Sequence, residues 1–522
     1  EFRGIPMMAP DILTVQTATS VMGNYTFKLT FEQYSVILVC MAFFFTFLRL
    51  HEIKVTEKRV FHIAGFIVVA LGCGLFTNQI ILSDFMEEHQ INIRMFRPME
   101  SYQKYGGVLT FARSVGYAVV KKPEGYSTAK VDQIIQEYEK KSANAQQSTA
   151  KQYPNIITVV NETFADIKVL GDFKTNEDYM PYFHSLKKNC VTGYTYASIV
   201  GGQTANTEFE LLTGNTLGFL SAGTTAFQLY IHGQMPSLVS NLKAEGYSGN
   251  KAMHPFNPYN YNRPAVYKDF GFTDFIDKFD FPKNVKRVRE YISDEANVDR
   301  IISEYEQNRK KTDQPFYMYN MTIQNHSPYD KDAANFKQSI KIESSKYDAE
   351  ANRYLNLIKY SDDSLKQLTS YFEKCKEPTI ILFLGDHHPR LTDEFMNKIT
   401  NGKYQTWSSE QMMKRYQVPF VIWANYDIKE QHIEKTSMNY MQSILTQTAG
   451  VKMTGYQRFL NEVRKEVPTI TSQGYWGKNG KFYQINDKGS PYYGIIQKYR
   501  MIQYNMMFDK KNRRDSFFEV SK

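Results

Sequence analysis

The stretch "PTIILFLGDHH" (378–388) decides the fold. Six consecutive apolar or β-branched residues between Pro378 and Gly385 suit a strand covered on both faces, the pattern of parallel sheets. The run then stops in an acid and two histidines. Three further runs repeat the pattern: "PNIITVVNETF" from Pro154, "QPFYMYNMTIQNH" (314–326) and "YQVPFVIWANYD" (416–427). Helical stretches at 236–245 and 349–374 separate them. Strands alternating with helices predict a doubly wound α/β domain, whose ligand site lies beyond the carboxyl ends of the strands. After about residue 468 the chain is turn-rich and polar. It reads as a tail with short strands, closed by a helical "IIQKYRMIQYNMMF".

Upstream the texture differs. "YSVILVCMAFFFTFL" (34–48) and "VFHIAGFIVVALGCGLFTNQIIL" (60–82) each approach the length that spans a bilayer; buried core helices are the alternative. Arg49, Lys54, Lys58 and Arg59 mark the connector as cytoplasmic, which puts residues 1–30 and everything after about 83 outside. An outer N-terminal segment with no initiator Met or signal peptide suggests a truncated chain with earlier spans missing. "SDFMEEHQINIRMFRPMESYQKYG" (83–106) could lie on the membrane surface, and a polar helix at about 130–147 reads as a spacer or a solvated surface helix. The expected division is an outer loop 1–30, two spans 31–82, juxtamembrane and linker helices 83–150, a catalytic domain 151–467 and a C-terminal subdomain 468–522.

With 522 residues and a net charge of +9, the chain suits work near anionic lipid or an anionic polymer. It shows no basic stripe of a nucleic-acid reader. The four cysteines, at 40, 73, 190 and 375, form no zinc pattern. Cys190 and Cys375 could pair, though their spacing does not demand it.

Three strand ends carry groups able to bind a cation: Asn161-Glu162-Thr163, Asn325-His326 and Asp386-His387-His388. Carboxylate and imidazole without cysteine favour Mn²⁺, Mg²⁺ or Zn²⁺. "GGQTANTEFELLTG" (201–214) is a loop entering a helix, with Thr204 at or next to the N-cap. Thr204 can simply cap the helix. A capping box, however, would want Glu or Gln where Thr207 stands. The second use of such a threonine is nucleophilic. The helix N-terminus favours a phosphoryl anion, and a divalent ion on the hydroxyl lowers its pKa.

Together "NIITVVNETFAD", "GGQTANTEFELLTG", "MHPFNPYNYNR", "MTIQNHSPY" and "LFLGDHH", in that order, resemble the lipoteichoic acid synthase family of Gram-positive bacteria, within the alkaline phosphatase and sulfatase superfamily. The likeness extends to "FRGIPMMAPDIL" before the spans and "IQYNMMFD" near the end. It implies a sulfatase-like α/β sandwich with a central, mostly parallel sheet, preceded by transmembrane helices. It also implies a multi-pass membrane protein with its catalytic domain outside the cell. Glu162, Asp386 and His387 then match metal ligands, usually of Mn²⁺. Thr204 matches the nucleophile that also touches the metal, His326 a histidine near the glycerol phosphate, and Arg263 a phosphate-binding arginine. His254 receives no role. Two positions depart: Phe256 stands where members carry Asp, and Tyr261 where they carry Trp, both residues that hold the headgroup.

The implied reaction moves glycerol phosphate from phosphatidylglycerol to a lipoteichoic-acid-type glycolipid or polymer through a phospho-threonine. Alternatives are a phosphoethanolamine transferase, a phosphodiesterase, transfer to a glycan, or a non-catalytic binding protein. A sulfatase proper would want a C/S-x-P-x-R motif, which the Thr204 segment lacks.

Overall fold

The structure, a computed structural model, describes residues 31–50, 59–82, 85–89, 91, 98–118, 120–142, 152–221, 224–343 and 349–520. The chain divides into two units, Glu1–Val119 and Val120–Lys522. The segment "FRGIPMMAPDIL" and the connector with Lys54 and Lys58 lie outside the described residues, as do the side chains of Arg49 and Arg59.

In the first unit, helices Phe31–Leu50 and Arg59–Phe76 are followed by one wider turn, Thr77–Leu82. Among the described residues one stretch, Ile63–Ile81, is long and apolar enough to cross a membrane, and none of it is buried in the protein. Of the other expected span, the apolar part described is the shorter Ile37–Thr46. The helix Gly107–Ala118 closes on the end of Ile63–Ile81, where Arg113 Nη1 donates to the Ile81 carbonyl at 2.9 Å.

The described residues of the second unit form thirteen strands: β1 Asn155–Asn161, β2 Cys190–Tyr196, β3 Ser248–Met253, β4 Asp274–Ile276, β5 Arg287–Val288, β6 Tyr291–Ile292, β7 Phe316–Met321, β8 Thr379–Gly385, β9 Gln417–Ala424, β10 Gln431–Ser437, β11 Thr469–Thr471, β12 Gly474–Trp476 and β13 Phe482–Tyr483. Eight form the central sheet in the order β10-β2-β9-β8-β1-β7-β3-β4. It is parallel everywhere except at β9, which runs antiparallel to both neighbours. The expected α/β architecture with a mostly parallel sheet is therefore what the chain adopts.

Side chains alternate between two cores. Ile156 and Val160 of β1, Ile380, Leu382 and Leu384 of β8, and Tyr317 and Tyr319 of β7 face one. Ile157, Val159, Ile381, Phe383 and Met318 face the other, under the helices Asp294–Arg309 and Ala349–Phe372. Both faces are dry, which is why these strands read as unbroken apolar runs.

Two segments sit differently from their sequence reading. The polar helix, Thr128–Ser142, buries Val131, Ile134 and Tyr138, one stripe at helical spacing, in the first core; it is part of the second unit rather than a spacer. The C-terminal helix Tyr493–Met507 also enters that core through Ile496, Tyr499 and Ile502. Tyr499 donates to the Gly214 carbonyl at 2.5 Å, and Gln503 bonds both the N–H and the C=O of Thr216, at 2.8 and 2.9 Å. These bonds fix the far end of the helix Thr204–Thr213. Cys190 and Cys375 are both free.

Register places the site. Asn161 pairs with Gly385 and Val160 with Met321, so Glu162, Asp386 and Thr322 leave adjacent strand ends side by side. At Gly385 the β1 end passes so close that an added Cβ would lie 1.8 Å from the Phe164 carbonyl oxygen. Gly385→Ala is expected to cost about 3 kcal/mol, because backbone rather than a side chain must move. Denaturant unfolding beside Gly402→Ala, where nothing lies within 4 Å of the added carbon, checks this; equal stability of the two variants contradicts the packing argument.

Candidate active site

The backbone enters the Thr204 helix through three left-handed residues, Gly201, Gly202 and Gln203, with φ of 68°, 141° and 65°. Two of them need glycine for that conformation. The Gly201 N–H donates to the His388 carbonyl at 3.0 Å, which ties this loop to the end of β8. Gln203 is the N-cap and makes no side-chain cap, so Thr204 is the first helical residue, next to the N-cap. Its hydroxyl faces Glu162 Oε2 at 3.5 Å instead of closing the helix. With the N-cap at Gln203 the capping-box position falls on Asn206 rather than Thr207; Thr207 donates to the Asp386 carbonyl at 2.9 Å and docks the helix on β8.

Glu162, Asp386 and His387 are buried, and one ligand atom from each lies within 4.8 Å of the others. His387 Nδ1 meets the His388 carbonyl at 2.9 Å. A carbonyl only accepts, so in the neutral ring the proton sits on Nδ1 and Nε2 carries the lone pair. That lone pair faces Asp386 Oδ2 at 3.2 Å and Glu162 Oε1 at 3.9 Å. Asp386 Oδ2 and His387 Nε2 are both buried without a hydrogen-bond partner. Two electron-rich atoms this close repel unless a cation lies between them, so the donor set fits a divalent ion. Burial, reinforced by the charge of Asp386, pushes the Glu162 carboxyl well above the carboxylate range, while Arg263 and the Thr204 hydroxyl oppose the shift.

A layer behind these groups fixes them. Asp386 Oδ1 accepts from the N–H of Thr163 at 2.7 Å and of His387 at 2.8 Å. Asn325, one of the strand-end groups able to bind a cation, is spent on structure: its Nδ2 donates to Asn161 Oδ1, the Glu162 carbonyl and Ser361 Oγ. Asp294 anchors the same network through Asn161 and Ser361, at 2.7 and 2.6 Å. His388 is not aimed at the cation set. Its Nε2 donates to the Gln417 carbonyl at 2.6 Å, and burial pushes its pKa down to about 3.

The remaining expected residues line the same cleft. Arg263 is buried, with Nε and Nη2 on Glu208 Oε1 at 3.1 and 2.6 Å. Glu208 also accepts from Tyr319 at 3.2 Å and from Tyr267. The guanidinium is thus held from the Thr204 helix itself, with its charge balanced before any ligand arrives. Its carbon sits 5.1 Å over the Tyr261 ring. Tyr261 and Asn262 both take positive φ, 61° and 59°, which turns this loop into the cleft.

His326 Nδ1 lies 2.7 Å from the Ser327 carbonyl, so its neutral form has the lone pair on Nε2, and burial lowers its pKa. Phe256 stacks on it with ring centroids 6.3 Å apart and planes at 22°. Sequence reasoning left two wall residues without a role. His254 is buried, bonds the Met321 carbonyl at 3.0 Å, and is pushed well below its ordinary pKa by burial and then by Arg263. Arg390 is exposed at the rim. The signal for His254 was its place at the head of "HPFNPYNYNR"; for Arg390, its place just after the histidine pair.

Comparison with known proteins agrees with this geometry. A Rhizobium meliloti (strain 1021) protein named for cyclic beta-1,2-glucan modification is 30% identical over 81% of the chain and 65% of its own length. The lipoteichoic acid synthase-like YvgJ of Bacillus subtilis (strain 168) is 26% identical over 51% of the chain and 42% of its own length. The chain thus spans less than two thirds of each relative. Among solved structures, the Streptococcus pyogenes phosphoglycerol transferase GacH, in complex with sn-glycerol-1-phosphate, shares the fold with a TM-score of 0.62 at 21% identity, over 77% of the chain and 100% of its own. The resemblance to lipoteichoic acid synthases is borne out by these relatives. A family model described as Sulfatase matches residues 154–451, more than half of the chain, and the chain belongs to that family.

Proposed function

We propose that the chain is a membrane-anchored, metal-dependent transferase that moves glycerol phosphate from phosphatidylglycerol to an acceptor hydroxyl through a phospho-Thr204 intermediate, with residues 151–467 as its extracytoplasmic catalytic part. One observation carries the reading. The Thr204 hydroxyl, at the start of a buried helix, is turned toward a carboxylate that belongs to an incompletely satisfied Glu-Asp-His set. Glu162, Asp386, His387 and Thr204 Oγ1 would hold the ion, Mn²⁺ in the first instance with Mg²⁺ or Zn²⁺ as alternatives. A bound divalent ion acidifies a hydroxyl and draws charge from phosphoryl oxygens.

The chain's own residues do the rest. Thr204 Oγ1 attacks phosphorus, the bond to diacylglycerol breaks, and the hydroxyl proton ends on the departing oxygen. In the second half an acceptor hydroxyl gives its proton to His326 Nε2 and displaces Thr204, which is reprotonated. A histidine neutral at pH 7 with a free Nε2 suits that base role. The helix N-terminus and Arg263 supply positive potential for the phosphoryl group.

The name of YvgJ supports a lipoteichoic-acid-type acceptor, and that of GacH supports glycerol phosphate as the group transferred. A second reading, transfer to a glycan, is favoured by Phe256, an aromatic face where the lipoteichoic acid synthase pattern has an acid. The name of the Rhizobium relative points the same way.

Thr204→Ala is expected to remove diacylglycerol release from phosphatidylglycerol, with mass spectrometry finding a glycerophosphate adduct on the Thr204 peptide of the unsubstituted chain only; full turnover by the variant overturns the nucleophile. His326→Gln should slow acceptor transfer by roughly 10²-fold while the Thr204 adduct still forms and accumulates. An adduct that fails to form would move His326 into the first step. Because Glu162 holds its proton unusually tightly without a cation, Mn²⁺ must displace that proton. Affinity should therefore weaken as pH falls through the raised pKa, by up to about tenfold per pH unit. Calorimetry in buffers of different ionisation enthalpy reads the released proton directly, and a pH-independent affinity contradicts the ligand set.

A further inference from the structure

The second unit hides its large apolar and aromatic side chains thoroughly. Among the described residues of Val120–Lys522, two stand well exposed: Tyr259 at 41% and Phe279 at 72%. Both adjoin the cleft. Tyr259 immediately precedes Asn260 and Tyr261 of its wall. Phe279 sits in the middle of a single tight turn, Lys278–Asp280, whose first residue donates its N–H to the carbonyl of Phe256, another lining residue, at 3.4 Å.

The turn is built to hold that ring out. Asp277 accepts from the Phe279 N–H at 2.7 Å, and Asp280 accepts from the Asp277 N–H at 2.9 Å, a reciprocal box. Arg300 ties the Asp280 carbonyl to the helix Asp294–Arg309 at 3.2 Å. Both acids of the turn are thereby engaged with backbone donors. The cations face outward in a different way: Lys278 Nζ lies 4.9 Å over the Phe279 ring and 5.9 Å over Phe256, and Lys283 is exposed without a partner among the described residues. Lys286 is spent on Glu295. A rigid turn that presents an aromatic ring beside lysines is the pattern of an interfacial anchor, with the ring among acyl-chain ends and the ammonium groups at anionic headgroups.

We propose that the Phe279 turn, with Tyr259 and Lys283, docks on an anionic lipid bilayer and lowers the rim of the cleft to the headgroup plane. The proposal rests on the reading of a membrane lipid as donor, and it explains how a buried threonine meets a phosphate that stays anchored by its acyl chains. A soluble protein partner for the same patch is the competing occupant.

The test uses the full chain reconstituted in vesicles of phosphatidylglycerol and phosphatidylcholine. Phe279→Trp adds one indole, whose emission is compared with the unsubstituted chain when bromine-labelled phosphatidylcholine is present. The added emission should be quenched by roughly half, as for a ring at the acyl boundary; no extra quenching overturns docking and leaves the patch to a protein partner. Phe279→Ser should lower turnover of bilayer phosphatidylglycerol roughly tenfold, with Phe279→Leu retaining most of it. Turnover of short-chain phosphatidylglycerol, dissolved as monomers, should stay within about twofold. An equal loss on both donors overturns the proposal. Quenching needs no turnover, so quenching without release of diacylglycerol keeps the docking surface and discards the donor.

Discussion

Two carboxylates and an imidazole lone pair are held together in a place water barely reaches, and most of the second unit is arranged around that repulsion. In a low dielectric, unlike groups can pair, but Glu162, Asp386 and His387 present electron-rich atoms to one another. Leaving such atoms uncompensated costs several kcal/mol. The fold tolerates it because parallel register fixes the strand ends, Gly385 allows the β1 backbone to pass, and Asn325 with Asp294 locks the Glu162 main chain from behind. A cation between them would turn the same repulsion into attraction.

The acids of the Thr204 helix are held by other partners, although Glu210 Oε2 is itself buried without a hydrogen-bond partner among the described residues. Glu208 has an arginine and two tyrosines. Glu210 receives Ser198, Thr216 and the Leu217 N–H on one oxygen, and burial still lifts its pKa to about 7. Both lie on the Thr204 helix, which explains why a ten-residue helix buried on every side can carry two acids. They anchor the helix to its surroundings, while its first residue turns its hydroxyl toward Glu162.

Much of this was legible in the sequence, and the rest was hidden for physical reasons. Strands β1, β7, β8 and β9 announce themselves because both faces are dry. Strands β2 and β10 do not: "CVTGYTY" and "QHIEKTS" lie toward one edge of the sheet and keep polar residues in solvent. The four chemically central residues converge because their type and their place at strand or helix ends carry the information. Partners do not announce themselves in the same way. Arg263 and Glu208 are 55 residues apart, and nothing local shows that the arginine is already paired. Asn325 looked like a ligand because an amide oxygen can be one; its bonds to Asn161, the Glu162 carbonyl and Ser361 depend on the assembled sheet. The Thr128–Ser142 helix was dominated by its charges, although Val131, Ile134 and Tyr138 sit at the right spacing for a buried stripe.

The bonds from Tyr499 and Gln503 to Gly214 and Thr216 have a temporal meaning. They join groups 285 and 287 residues apart, so the far end of the helix bearing the threonine, held locally through Glu210, is finally fixed by chain made long after it. During synthesis the loop, the helix and the first strand end exist well before the segment that completes their packing. A cleft assembled in this order stays incompletely packed in every partial chain, and reaches its final form only when the domain is whole.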